Sequence, residues 1–580
     1  MPGDRLAVPA RDKSILLGVD IVKIVIRIAM LMMFSLVAVV PSSKVFAQRE
    51  IQDRAALIVA VESVDDLLED VSYLVGASGF PEFVPFVTFS AGEFVKGLDR
   101  TKPAGAYLTF DGENPQVVAF IAVKKLDDVL DTLSDQNFEV DEDGDYKVLT
   151  APNGEDLFVI EKQGWAFISN DKEHLVNLPD DPESVVSGMA KKYVISAHAN
   201  IKNIPESLRK QAVDFMKEGF ENALENGGGD ADLAEFQRKM NQMSMQNMMD
   251  SIEQAETVSF GWAVDKEGKR TLFDVDIVAE KDSKMAERIE AAGSVAPGFL
   301  GFLRKDAAMN INYSYGMIED DREMVLEVLD QGREQALKAL EKDEDLGDRE
   351  KEIAKRLAND LLDVVAETVK AGKLDFAGSL ALGKGDLDFV MGGFVADTQK
   401  FSASVDDALK WAEDEIAKSD EGDKVQIKRN AETFKGIRFH TISVAIPEDE
   451  EEAQQLLGEK MQLVIGVGDK AAYVGAGNKA IDSLKKAITA PAGEQVEGST
   501  TITLALTPIL QFFEEMEEGE IVEALVASLK ESGNDKIVIT GKVDGNKQSS
   551  RLEVQEGILR LIGVGVGQFS GAFGGAGQEF

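Results

Sequence analysis

Between Lys239 and Asp250 the chain reads KMNQMSMQNMMD, which places five of its 18 methionines in ten positions. Thioether sulfur is a soft donor suited to copper(I), so Met245, Met248 and Met249 are candidate metal ligands. A straight helix cannot gather all five on one ion. At about 100° per residue, Phe236, Met240 and Met243 form one stripe, and Met245, Met248, Met249 and Ile252 form a second, offset stripe. Both have the spacing of a buried face, and methionine fills irregular apolar gaps well. The expectation is therefore a packed helix face, with a two- or three-methionine copper site as the alternative.

Other stretches imitate known chemistry and fail on a particular residue. GSLALGKG, from Gly378, is close to a phosphate-binding loop, but Gly385 stands where a magnesium-binding Ser or Thr is required. Its Lys384-Gly385 also joins two expected strands, whereas a P-loop turns from strand into helix. GAGNKA, from Gly475, follows a strand and opens a helix as a dinucleotide fingerprint does. Its counterpart SNDKEH, from Ser169, has no glycine, so helix capping is the expected role. DEDGDYKV, from Asp141, starts like a calcium loop, but its twelfth position is Pro152 where a bidentate Glu belongs; a hairpin turn is expected instead. DEDLGD, from Asp343, fails likewise and reads as a solvated link between helices.

The three histidines, His174, His198 and His440, fall in a helix start and two distant strands, with no HExxH or Ser-His-Asp spacing among them. Paired carboxylates carry no information in a chain with 104 acidic residues. No catalytic residue, cofactor or nucleotide site is therefore expected.

The elements that hold these residues begin after an unusual N-terminus. Arg11, Lys13, Lys23 and Arg27 precede the apolar run IAMLMMFSLVAVV from Ile28 to Val40, then PSSKVFAQ. This is the order of a signal peptide, with Val45 and Ala47 as the small residues before a cut at Gln48. A retained anchor extending back to Ile21 is the alternative, and it would have to bury Lys23 and Arg27 in lipid. Export to the periplasm or outside the cell is the expectation. Without any cysteine there is no disulfide framework and no thiolate metal site, so packing must supply stability. A formal charge of −42 argues against nucleic acid and anionic membranes as partners, since both are bound by positive charge.

The remainder repeats itself. GEDLFVIEKQGWAFISNDKEHLVNL, from Gly154, matches GEKMQLVIGVGDKAAYVGAGNKAIDSL, from Gly458, in a strand, turn, strand, helix order. AYLTFDGENPQVVAFIAVKKLDDVLDTL, from Ala106, matches the stretch from Phe376 to Leu409 in the same way. The hairpin pattern from Val258 recurs from Lys536, with Val264-Asp265 and Val543-Asp544 entering turns that contain Gly268 and Gly545. The predicted fold is α+β: two tandem copies of a unit of antiparallel hairpin sheets, with amphipathic helices packed on one face. The expected boundaries are a signal peptide at 1–47, copies at 54–300 and 305–570, and a flexible Gly-rich tail at 571–580.

The extended signal region ending VFAQ, AALIVAVESVDDLLEDV from Ala55, and the strands AYLTFDG and GWAFIS together give a family likeness. The chain resembles the large, acidic, cysteine-poor exported proteins of unknown function from planctomycete-type bacteria. That resemblance implies no activity and no site. The expected function is a non-enzymatic binding or structural protein of the cell envelope. The alternative is a carrier enclosing an apolar or lipid-like ligand between curved sheet and helices; the partner would be an apolar ligand or an envelope component.

Overall fold

Short runs that alternate or are wholly apolar, separated by Gly, Asn and Asp turns, make strands here throughout. The computed structural model describes residues 51–563 except 226–244, 246–248, 250–251, 344–345, 384–385, 419–423, 448–449, 451–452, 455–456, 492–497, 515–524 and 530–532. The expected signal peptide and the tail at 571–580 lie outside the described residues.

The first ten strands are β1 (Leu57–Val61), β2 (Ala104–Asp111), β3 (Asn114–Ala122), β4 (Glu139–Asp143), β5 (Tyr146–Thr150), β6 (Asp156–Lys162), β7 (Trp165–Ser169), β8 (Ile195–Asn200), β9 (Ala255–Asp265) and β10 (Arg270–Ala279). The next ten are β11 (Met309–Gly316), β12 (Lys373–Gly383), β13 (Asp386–Phe394), β14 (Val425–Phe434), β15 (Ile437–Ala445), β16 (Lys460–Val467), β17 (Ala471–Gly477), β18 (Thr500–Ala505), β19 (Lys536–Asp544) and β20 (Lys547–Gln555). The fold is α+β, and these strands form one antiparallel sheet of 20.

The centre of the sheet is the pair β10–β20, with Arg270 opposite Gln555 and Val278 opposite Lys547. From β10 one arm runs outward through β9, β8, β1, β2, β3, β7, β6 and β5 to β4. From β20 the other runs through β19, β18, β11, β12, β13, β17, β16 and β15 to β14. Trp165 and Ala471 each open the second strand of their hairpins, β6–β7 and β16–β17. The two outer edges are poor templates for further pairing. β4 is five residues of mostly exposed acid, EVDED, and β14 is charged, with its register broken between Lys428 and Glu432. Short, charged and bulged edges are how sheets avoid edge-to-edge aggregation.

Residues directly opposite in an antiparallel pair share a face, so the registers assign every strand residue to a front, which carries Val275, or a back. In the first arm Ala106, Val117 and Ala119 on the front pack with Leu126 and Leu130 of the helix Leu126–Ser134. Tyr107, Val118 and Phe120 on the back pack with Val185 and Val186 of the helix Pro182–Ala190. In the second arm Ala377, Val390 and Phe439 on the back hold Leu484 of the helix Ala480–Thr489. The expected single-sided arrangement of helices is thus corrected to cover on both faces, and the expected plural sheets to one. The reason is visible in β3: Val117, Val118, Ala119 and Phe120 are consecutive and all buried, so both faces of that strand need a lid.

Local signals place the helices that end near the clefts. Ser63 caps the helix Val64–Ala77 by accepting from the Asp66 amide at 3.1 Å, and Asp181 caps Pro182–Ala190 through the Ser184 amide. Such caps satisfy amides left over in the first turn.

Candidate binding surface and clefts

Six large apolar strand residues are exposed among the described residues: Phe260, Val275, Met309, Val444, Leu463 and Ile539. All six lie on the front. Val275 is opposite Phe260, and Phe273, two residues away, is opposite Leu552, which is opposite Ile539. Ile537, next on that face, leads through Leu504 to Met309. Leu463 and Val444 follow through β12, β13, β17 and β16. From Phe260 to Met309 the patch crosses six strands, roughly 24 Å at ~4.8 Å per strand. Helices cover the front on either side: Val64–Ala77 packs near Trp262 and Val264, and Lys284–Ala292 packs over Val258, Ile277 and Val543.

The back of the central pair is charged instead. Asp274 is opposite Arg551, whose guanidinium grips it through two bonds of 2.7 and 2.9 Å, and the Tyr193 hydroxyl donates to it at 2.9 Å. Arg270 reaches Glu553 at 2.7 Å and Lys547 reaches Asp276 at 3.0 Å. Burial of Asp274, which alone would raise its pKa, is outweighed by Arg551 and Tyr193, so the carboxyl titrates below its usual range.

A polar cleft of about 460 Å³ opens where β1 and β9 end, lined among others by Glu62, Asp66, Asp70, Glu183, Lys191 and Lys266. Strand β1 drives Glu62 there as the first residue after the apolar LIVAV. Lys266 is fixed between Asp70 at 2.7 Å and Glu69 at 2.9 Å. Burial, then the charges of Asp70 and Asp66, push the Glu62 pKa up to about 8, against the pull of Lys266. Burial likewise raises Asp70. A pKa of about 8 favours the protonated form of Glu62 at neutral pH. Glu62 is not singled out at the level of sequence. The available signal was an acid following a fully apolar strand.

The histidines stand apart, each with its own neighbour. The His174 ring meets Ser169 Oγ at 2.9 Å, His198 meets Ser259 Oγ at 2.8 Å, and His440 is 3.9 Å from Asp406. Burial lowers the pKa of all three. Gly378 to Gly383 lie in the hairpin β12–β13, with Gly383 opposite Asp386; Lys384 and Gly385 lie outside the described residues. GAGNKA does join a strand to a helix, and its glycines serve close packing, whereas in SNDKEH Asp171 caps by accepting from the Glu173 amide at 2.8 Å. Lys479 at the cap position makes no capping hydrogen bond through its side chain. A Cβ on Gly475 would come within 2.9 Å of Leu484, and one on Gly477 within 2.0 Å of the Leu387 carbonyl oxygen. Asp141 lies within β4 and Asp143 ends it, in a tight hairpin with Tyr146 opposite Asp143. Met245 and Met249 are helical, the first half-buried and the second buried; Met248 lies outside the described residues. Among the described residues no group of three His, Asp or Glu side chains could hold a metal ion, and no helix is long and apolar enough to cross a membrane.

No family model, curated protein or solved structure matches this chain.

Proposed function

We propose that this chain is an exported, non-enzymatic binding protein of the cell envelope, built from two copies of one α+β unit at 54–300 and 305–570, and that it binds an apolar partner surface on the front of its sheet. The observation that carries the reading is the restriction of all six exposed large apolar strand residues to that one face. Contiguous exposed apolar surface of this kind marks interaction sites. Duplication is supported by the identical succession of strands outward from β10 and from β20. Export rests on the residues before Gln48, and the absence of a catalytic role rests on the separation of the three histidines.

A surface fits better than an enclosure. The cleft lined by Phe299, Phe302, Tyr473 and Ile488 has a volume of about 180 Å³, below the roughly 300–1,000 Å³ typical of small-molecule pockets. The acidic character of the chain restricts the partner to a neutral or basic one.

The test has two parts. The fluorescence of 1-anilinonaphthalene-8-sulfonate should rise with the native protein and fall when Phe260→Ser and Ile539→Ser are combined; unchanged emission overturns the surface. Mass spectrometry of an organic extract of the purified native protein should find no stoichiometric lipid. A bound lipid at one per chain would establish the carrier instead.

A further inference from the structure

On the back of the first arm a small cleft of about 60 Å³ is lined by Arg54, Tyr107, Thr109, Gln116, His174 and Asn177, with Glu173 also on its wall. Tyr107 is only 4% exposed, yet its hydroxyl makes no hydrogen bond among the described residues. His174 is 6% exposed, and its Nε2 also has no partner there. The tautomer of that ring follows from its neighbour. Ser169 Oγ spends its one proton on the Val117 carbonyl at 2.7 Å, so at 2.9 Å it accepts from His174 Nδ1. Nε2 is left as a bare acceptor, and burial keeps the ring neutral. Arg54 is half-buried and has no ion pair among the described residues. Buried polar groups without partners and a guanidinium without a counter-charge are both costly.

The second arm shows what belongs in such a place. The pairing of β3 with β7 ends at Ala122 opposite Trp165, and that of β13 with β17 ends at Phe394 opposite Ala471. By that register Gln116 and Asp388 occupy the same position in their arms. Asp388 accepts from Arg304 at 2.6 Å and from the Ser483 hydroxyl at 2.8 Å. One arm therefore carries its own carboxylate against an arginine, and the other has a neutral amide in a cleft with an arginine that makes no ion pair among the described residues.

We propose that this cleft binds a small monocarboxylate, with Arg54 and Tyr107 donating to the carboxylate. Arginine matches carboxylate geometry through paired donors. Glu173 at the wall disfavours a dianion, so phosphate is a poorer ligand than a monocarboxylate.

Isothermal titration of the purified protein with lactate, propionate and inorganic phosphate tests this. Lactate and propionate should bind with similar affinity, and phosphate more weakly than either. Arg54→Gln should weaken lactate by roughly tenfold or more. Gln116→Asp places a carboxylate where Asp388 stands; it should abolish lactate binding and raise the melting temperature of the free protein. Circular dichroism establishes that each variant is folded, and the gain in stability from Gln116→Asp is a readout independent of binding. No heat with any of the three ligands overturns the proposal, the cleft then holding water only. Lactate binding unchanged in both variants overturns it equally, as does phosphate binding as tightly as lactate.

Discussion

Glu62 is the side chain whose ionisation the fold disturbs most usefully. Its pKa rises from 4.5 to about 8 on folding, so the protonated form stabilises the native state. That contribution is complete below pH 4.5 and is lost as pH climbs through about 8. Glu62→Gln, which keeps the shape without the charge, should therefore melt with the wild type at pH 4.5 and at a higher temperature at pH 9. Equal melting at both values would show that Glu62 is hydrated and titrates normally. The methionines give a second measurement at this scale. If they pack, Met245→Leu and Met249→Leu conserve volume and should each cost under about 1.5 kcal/mol, with copper(I) binding in competition with a chelator unchanged. Tight one-to-one copper binding that disappears in the double variant would make them ligands.

At the scale of elements, the pair β10–β20 decides whether two arms become one sheet. Each strand would otherwise be an open edge with a row of unsatisfied amides. Across the pair the front is apolar through Phe273 and Leu552, and the back is tied by Asp274–Arg551, Arg270–Glu553 and Asp276–Lys547. Asp274→Ala removes an acceptor of three hydrogen bonds and leaves Arg551 unpaired; it should cost about 2–3 kcal/mol in urea unfolding at pH 7. Because the Asp274 pKa is depressed on folding, its stabilisation is present above the unfolded value of 3.8 and lost as pH falls. The gap between wild type and Asp274→Asn should thus narrow below pH 4. A gap independent of pH would mean that shape, and not charge, holds the pair together.

For the molecule as a whole, a charge of −42 repels itself, and salt screens that repulsion over a Debye length of roughly 30 Å at 0.01 M and 8 Å at 0.15 M. The melting temperature should rise between those two salt concentrations, and a fall would show that attractive ion pairs outweigh the net repulsion. The same charge opposes the approach of two copies front to front. It also sets the requirement on any partner, which must cover apolar side chains without adding negative charge.

The sequence by itself determined what is local. Alternation in AYLTFDG, the turns at Gly144 and Gly545, and the caps at Ser63 and Asp181 dictate strands and helices because backbone dihedrals and first-turn amides are satisfied within a few residues. It also determined the acidity and the absence of any disulfide. Whether the strands form several sheets, as expected, or a common one was settled only in three dimensions. Asp274 and Arg551 are 277 residues apart, and no period or turn links them; they meet because two strand edges each lacked a partner. The cover on both faces follows from the wholly apolar β3, a signal present in the chain but ambiguous without knowing its neighbours. The clefts were least legible. Glu62, Arg54 and Tyr107 are ordinary residues in their own segments, and only the meeting of distant strand ends strips them of water and gives them their chemistry.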